Sequence, residues 1–255
     1  MTGCIKLLKN KFSGGFLVKE KLVLALDVDT KERARELVIE LKEYVGVFKV
    51  GKELFTAEGP AIFDIIKENG GKIFADLKYH DIPTTVAKAG RTLVRHGVEI
   101  FNVHASGGYD MIKKTREAID EEAQKLGVKR PILLAVTVLT SLSDEDMKRI
   151  KVSESAADHV MTLAKLAKEA GADGIVCSPQ EIEAVKRELG KDFITLTPGV
   201  RPVWSEKGDQ KRVMTPKEAV EKGTDYIVVG RPITGAENRK EAAKKIIEEM
   251  EEAVI

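Results

Sequence analysis

The stretch Lys72-Ile73-Phe74-Ala75-Asp76-Leu77-Lys78-Tyr79-His80-Asp81-Ile82-Pro83-Thr84 holds the repeating unit of this 255-residue chain. An apolar run, residues 72–75, passes into charged residues, and from Thr84 to His96 the apolar positions recur with helical spacing. Pro83 suits the first turn of that helix, where its missing N–H costs nothing. A strand followed at once by a helix is half of a parallel crossover unit.

The same unit recurs on both sides. Apolar runs rich in Val, Ile, Leu and Phe lie at 22–26, 47–50, 100–103, 132–138, 174–177, 193–196 and 226–229. Helical patterns alternate with them at 31–44, 61–69, 110–126, 156–170, 179–189, 216–222 and 239–250, and Gly or a polar residue punctuates most junctions. Continuous apolar strands separated by helices predict a parallel sheet covered on its outer face. Eight such units in this length predict one closed α/β barrel, a (β/α)₈ TIM barrel over residues 21–255. A doubly wound open sheet is the alternative, but its Gly-rich turn after the first strand is missing; the chain reads Leu26-Asp27-Val28-Asp29 there.

Residues 1–20 stand apart as a basic N-terminal extension. Lys6, Lys9, Lys11, Lys19 and Lys21 surround the flexible break Ser13-Gly14-Gly15. Such an arm reads as a frayed extension or a helix capping one end of the domain, rather than a membrane or RNA contact. For the whole chain, 42 Lys and Arg balance 41 Asp and Glu. That balance offers no global pull on nucleic acid or anionic lipid. No apolar run approaches the ~18 residues that span a bilayer. Cys4 and Cys177 form neither a disulfide framework nor a metal site. A cytoplasmic, reduced protein with no nucleic-acid or membrane partner is expected.

In a barrel of this kind the chemistry sits at the C-terminal ends of the strands. Residues i and i+2 share a face of a strand. Asp27 ends the first strand in phase with Ala25 and Val23; Lys49 is in phase with Val47; Asp76 and Lys78 share a face, and Asp81 follows in the loop. Lys49, Asp76, Lys78 and Asp81 are therefore expected to converge, since alternating charges offset one another's desolvation. The plainer readings are a structural ion pair for Lys49 and Asp76, and a helix-start role for Asp81.

A second signal follows strands seven and eight, the usual phosphate position of this architecture. Pro198-Gly199-Val200-Arg201-Pro202 and Gly230-Arg231-Pro232-Ile233 put two guanidinium forks beside a glycine that lets backbone approach a phosphate. A phosphomonoester with the charged cluster at its other end is the expected ligand. His104 reads as a general base or a hydrogen-bonded core histidine, His80 as a loop residue, Thr140-Ser141 as hydroxyl donors or a turn, Trp204 as a lid contact and Cys177 as core.

The octapeptide Asp76-Leu77-Lys78-Tyr79-His80-Asp81-Ile82-Pro83 resembles the D-x-K-x-x-D-I-P signature of the orotidine 5′-phosphate decarboxylases. Leu24-Ala25-Leu26-Asp27, Val47-Phe48-Lys49-Val50-Gly51, Asn102-Val103-His104-Ala105, Val136-Thr137-Val138-Leu139-Thr140-Ser141, Pro198-Gly199-Val200-Arg201-Pro202, Gly208-Asp209-Gln210 and Val229-Gly230-Arg231-Pro232-Ile233 are similar to that family in the same order, closest to its bacterial type. The resemblance implies conversion of orotidine 5′-monophosphate to uridine 5′-monophosphate and CO₂ in de novo pyrimidine biosynthesis, without metal or other cofactor. It implies that Lys78 protonates C6 within a Lys49–Asp76–Lys78–Asp81 network. Asp81 would reach the neighbouring subunit's site, making a homodimer with shared sites. Asp27 and Lys49 would hold ribose hydroxyls, and segment 76–85, Ile82 and Thr85 included, would line the base and ribose pocket with Thr140. Arg201, Gln210, Gly230 and Arg231 would hold the phosphate, and loop 201–214 would close over it. Two rivals stand beside this. One is a Mg²⁺-dependent phosphosugar decarboxylase or aldolase, whose strand two would end in a carboxylate where this chain has Lys49. The other is a non-catalytic nucleotide-binding protein, which would not need both lysines.

Overall fold

The computed structural model describes residues 18–205 and 214–253. Eight parallel strands close in chain order: β1 (Leu22–Ala25), β2 (Val47–Val50), β3 (Ile73–Tyr79), β4 (Ile100–His104), β5 (Ile132–Val136), β6 (Gly174–Val176), β7 (Ile194–Thr197) and β8 (Tyr226–Val229), with β8 pairing back to β1. The (β/α)₈ barrel expected from the alternation of patterns is present. Most of the expected extension, residues 1–17, lies outside the described residues.

Eight helices fall where periodicity placed them: α1 (Lys31–Leu41), α3 (Ala61–Glu68), α4 (Pro83–Arg95), α5 (Tyr109–Leu126), α7 (Ala156–Glu169), α8 (Ile182–Leu189), α9 (Pro216–Glu221) and α11 (Arg239–Glu251). Three more, α2 (Lys52–Glu58), α6 (Asp144–Arg149) and α10 (Arg231–Thr234), have 7, 6 and 4 residues. At two turns or fewer they carry too little periodicity to be read from sequence. Side-chain caps define several starts. Ser143 and Asp146 make a reciprocal capping box at α6, as do Thr215 and Glu218 at α9.

The barrel buries two apolar layers. Val23, Val47, Phe74, Ile100, Leu134 and Leu196 point inward and fill the lower barrel. The alternate strand residues, among them Leu22, Leu24, Phe48, Ile73, Phe101 and Leu133, pack under the helices. The inward set continues up β2 to Lys49 and up β3 to Asp76, so period-2 alternation delivers charge to the top of a hydrophobic plug.

At the opposite, N-terminal end, carboxylates serve the fold. Glu99, Asp173 and Asp225 each stand one residue before an even-numbered strand. Each accepts an N–H from the first or second residue of the preceding strand: Ile73 at 2.6 Å, Leu133 at 2.8 Å and Thr195 at 2.8 Å. Asp173 also pairs with Arg130 at 2.6 Å and Arg116 at 3.1 Å, and Asp225 with Lys186 at 2.6 Å.

Candidate active site

Four side chains at the top of β1 to β3 form a line of alternating charge. The Lys49 ammonium lies 3.3 Å from Asp27 Oδ1 and 3.4 Å from Asp76 Oδ2, and the Lys78 ammonium 2.6 Å from Asp76 Oδ1. Lys49 and Asp76 side chains are 11% and 14% exposed, whereas Asp27 is 61% exposed. The line therefore runs from the mouth of the barrel into its interior. Charges at that depth persist only with partners on each side. Asp76 gains one more: Asn102 of β4 donates from Nδ2 to Asp76 Oδ1 at 2.7 Å.

Lys78 is held by an irregularity in β3. Ala75 pairs with Phe101 but Tyr79 pairs with Val103, so four residues of β3 advance against two of β4. Within that bulge Lys78 has φ of 54°, a left-handed conformation rare for any residue but glycine or asparagine. Bulges often re-aim a side chain beside a site.

Lys49, Asp76 and Lys78 line a cavity of about 190 Å³ together with Thr140 and mainly apolar residues, among them Val136, Val138, Leu139, Val176, Leu196, Pro198 and Val228. Charged side chains thus meet an otherwise largely apolar cavity lining. On the β8 side, a Cβ at Gly230 would lie 3.5 Å from Asp27 Oδ2, which brings the β8 loop against the charged line. Gly230 caps the single turn α10 after β8, a position where barrels of this class often bind phosphate. On the β7 side, Gly199 turns the chain with φ of 79°, and Arg201 N–H donates to Met214 O at 2.9 Å, pinning the two ends of that loop. Arg201 is half-buried and Arg231 exposed. Gln210 lies outside the described residues.

Residues 20–246 match the model of the orotidine 5′-phosphate decarboxylase / HUMPS family. The chain belongs to that family. It is 51% identical over 236 residues to the orotidine 5′-phosphate decarboxylase of Syntrophomonas wolfei, covering 92% of this chain and 99% of that one. It is 49% identical over 234 residues to the same-named protein of Moorella thermoacetica, covering 91% and 93%. A solved orotidine 5′-phosphate decarboxylase from Lactobacillus acidophilus superposes with a TM-score of 0.80 at 39% identity, covering 90% of this chain and 98% of that one.

For this member of the orotidine 5′-phosphate decarboxylase / HUMPS family, the chain alone assembles three of the four expected network residues. Asp81 is the exception. It lies beyond the end of β3, exposed, and its carboxylate accepts the N–H of Ile82 at 2.6 Å. Among the described residues it makes no ion pair. Ile82, 67% exposed, and Thr85, also exposed, face outward with it rather than into the cavity of their own chain. The alternation rule places residues along a strand but does not reach a loop residue.

His104 packs its ring against His80, with centroids 5.5 Å apart. Burial holds its pKa below the usual imidazole range, and the charges of His80 and Lys78 push the same way. Cys177 is buried, and burial drives its thiol pKa far up, as expected of a core cysteine. Trp204 is 47% exposed beside the β7 loop. In the sequence Asn102 stands only within a family motif, yet it contacts two site residues. Its signal was a polar side chain in phase with inward Ile100.

Proposed function

We propose that this chain decarboxylates orotidine 5′-monophosphate to uridine 5′-monophosphate, with Lys78 as the acid. The observation that carries the reading is the Lys78–Asp76–Lys49–Asp27 line at the wall of an otherwise apolar cavity. Loss of CO₂ from C6 breaks the C6–carboxylate bond and leaves its electron pair in the ring plane, where the ring π system cannot absorb it. A preorganised ammonium stabilises that pair and then delivers its proton to C6; solvent restores the proton to Lys78. One such donor is worth about 3–4 kcal/mol, and more when it is also the acid. Asp76 keeps the Lys78 ammonium aimed at the reacting carbon.

The same geometry argues against the Mg²⁺-dependent reading. The Lys49 ammonium stands between Asp27 and Asp76, so both carboxylates already face a cation, and a divalent ion needs several oxygens free of one. A non-catalytic binder would gain nothing from two ammoniums bracketing one carboxylate.

The finer assignments belong to the same proposal. Asp27 and Lys49 hold the ribose hydroxyls, Thr140 borders the base, and Arg201, Gly230 and Arg231 grip the phosphate with Gln210. Binding energy gained at the phosphate, remote from C6, is then available for catalysis. The protein works as a homodimer in which Asp81, Ile82 and Thr85 complete the neighbouring subunit's site. Their exposure beside the barrel mouth supports this. The working compartment proposed from the biosynthetic family is the cytoplasm. No described helix is long and apolar enough to cross a membrane.

The test is the ultraviolet spectrum of orotidine 5′-monophosphate mixed with purified protein and excess EDTA. Conversion to the uridine 5′-monophosphate spectrum is expected. Activity that appears only on adding Mg²⁺ would overturn the role given to Lys49, and binding without turnover in either condition would leave a nucleotide-binding protein.

A further inference from the structure

We infer that Asn102 is a positioning residue that sets the Asp76–Lys78 pair, by holding the left-handed turn at Lys78 from inside the barrel; the inference rests on the decarboxylase reading above. Asn102 has no exposed surface. A carboxamide so placed needs partners at both ends. Its Oδ1 accepts the backbone N–H of Lys78 at 2.8 Å, and its Nδ2 donates to Asp76 Oδ1 at 2.7 Å. The orientation has no ambiguity, because a peptide N–H only donates and a carboxylate only accepts.

The register explains why the amide stands there. The β3 bulge spans residues between Ala75 and Tyr79, and the one β4 residue between their partners Phe101 and Val103 is Asn102. The bulge takes the Lys78 N–H out of the ladder, and Asn102 supplies the acceptor that the ladder no longer offers. A left-handed lysine is sterically unfavourable, so the turn persists only where its surroundings demand it. One carboxamide thus fixes the backbone of the proposed acid and one oxygen of the carboxylate that aims it. Substrate is touched by Lys78 and Asp76, and Asn102 acts through them.

Asn102→Ala removes both hydrogen bonds. A misplacement of about 1 Å costs about 100-fold in rate, so kcat is expected to fall 10- to 100-fold. The affinity for uridine 5′-monophosphate, held mainly at ribose and phosphate, stays within about three-fold of wild type. Thr115→Val serves as control: its buried hydroxyl bonds to Met111 O at 2.7 Å in α5, away from the site. It should lower the melting temperature without changing kcat.

Asn102→Asp gives a readout that a purely structural role does not move. Once protonated, the new carboxyl is an isostere of the amide, accepting from Lys78 N–H and donating to Asp76. Ionised, it sets a second carboxylate against the first. The ratio of mutant to wild-type kcat should therefore rise as pH falls. The charged groups facing the position are Asp76 and Lys78 of β3, Lys49 of β2, His104 of β4 and His80 beyond β3. Using the ratio cancels their titration, which wild type shares.

If Asn102→Ala does not fold, hydrogen exchange in the wild-type protein still decides. The Lys78 amide should be protected at least about 100-fold over an unstructured chain. Wild-type kcat in the alanine variant, a flat pH ratio in the aspartate variant, or an unprotected Lys78 amide would each overturn the inference. A wild-type protein that fails to decarboxylate the nucleotide would refute the proposed function instead, and would leave the exchange measurement to speak for Asn102 alone.

Discussion

Asp76 and Lys78 stand two residues apart on one strand, and the Lys78 ammonium lies 2.6 Å from Asp76 Oδ1. The contact is made within β3, across its bulge, so both groups are carried by the same short piece of backbone. Lys49 reaches the other oxygen of Asp76 from the neighbouring strand at 3.4 Å. The carboxylate is thereby clamped between two ammoniums, and both lysines line the cavity.

Replacing Lys78 by alanine removes the proposed acid and one of the donors on Asp76. Turnover of orotidine 5′-monophosphate should fall at least about 10³-fold. Binding of uridine 5′-monophosphate, followed by calorimetry, should persist. Near-normal turnover would remove Lys78 from the chemistry.

Asp81 offers a test of the proposed homodimer with shared sites. Lys78→Ala and Asp81→Ala homodimers should each be inactive. A mixed dimer carries one site with Lys78 from one subunit and Asp81 from the other. Random exchange of equal amounts should restore about a quarter of wild-type activity. No recovery, with mixed dimers verified by mass spectrometry, would confine Asp81 to its own chain.

Asp173 separates the stabilising end of the barrel from the working end. Its carboxylate, 16% exposed, holds Arg130, Arg116 and the Leu133 N–H. Asp173→Ala leaves those donors uncompensated and should cost about 3 kcal/mol. That corresponds to a drop of roughly 10 °C in melting temperature, with kcat measured well below the melting point unchanged. A loss of kcat without loss of stability would contradict the division.

His104 predicts a pH dependence of stability. Its pKa in the folded protein is depressed, by burial first and then by His80, Lys78 and Lys52. The unfolded chain takes up this proton near pH 6.5, where the folded chain still resists it. The stabilising contribution is therefore full above about pH 6.5 and is lost as pH falls toward the depressed value. Urea midpoints at pH 7.5 and 5.5 should differ less for His104→Gln than for wild type. Equal differences would show that His104 titrates alike in both states.

The barrel was legible in the sequence because its cause is local. Each strand buried on both faces reads as an unbroken apolar run, and each covering helix reads as a period near 3.6. Period-2 alternation is also local, so Asp27, Lys49, Asp76 and Lys78 could be placed on the inner face at the strand tops from their neighbours alone. The distances among them, the bulge in β3, the left-handed Lys78 and the double role of Asn102 depend on how β3 is registered against β4. Register is a relation between segments 20 or more residues apart, set by closure of the whole barrel. Asp81 shows the same boundary from the other side. Its sequence position beside Lys78 suggested convergence, but the two-residue step past the strand end turns it to the surface. Carboxylates at both ends of the barrel look alike in sequence; only the fold separates Glu99, Asp173 and Asp225, which bond to N–H groups in the first two residues of a strand, from Asp76, which faces ammoniums at the cavity.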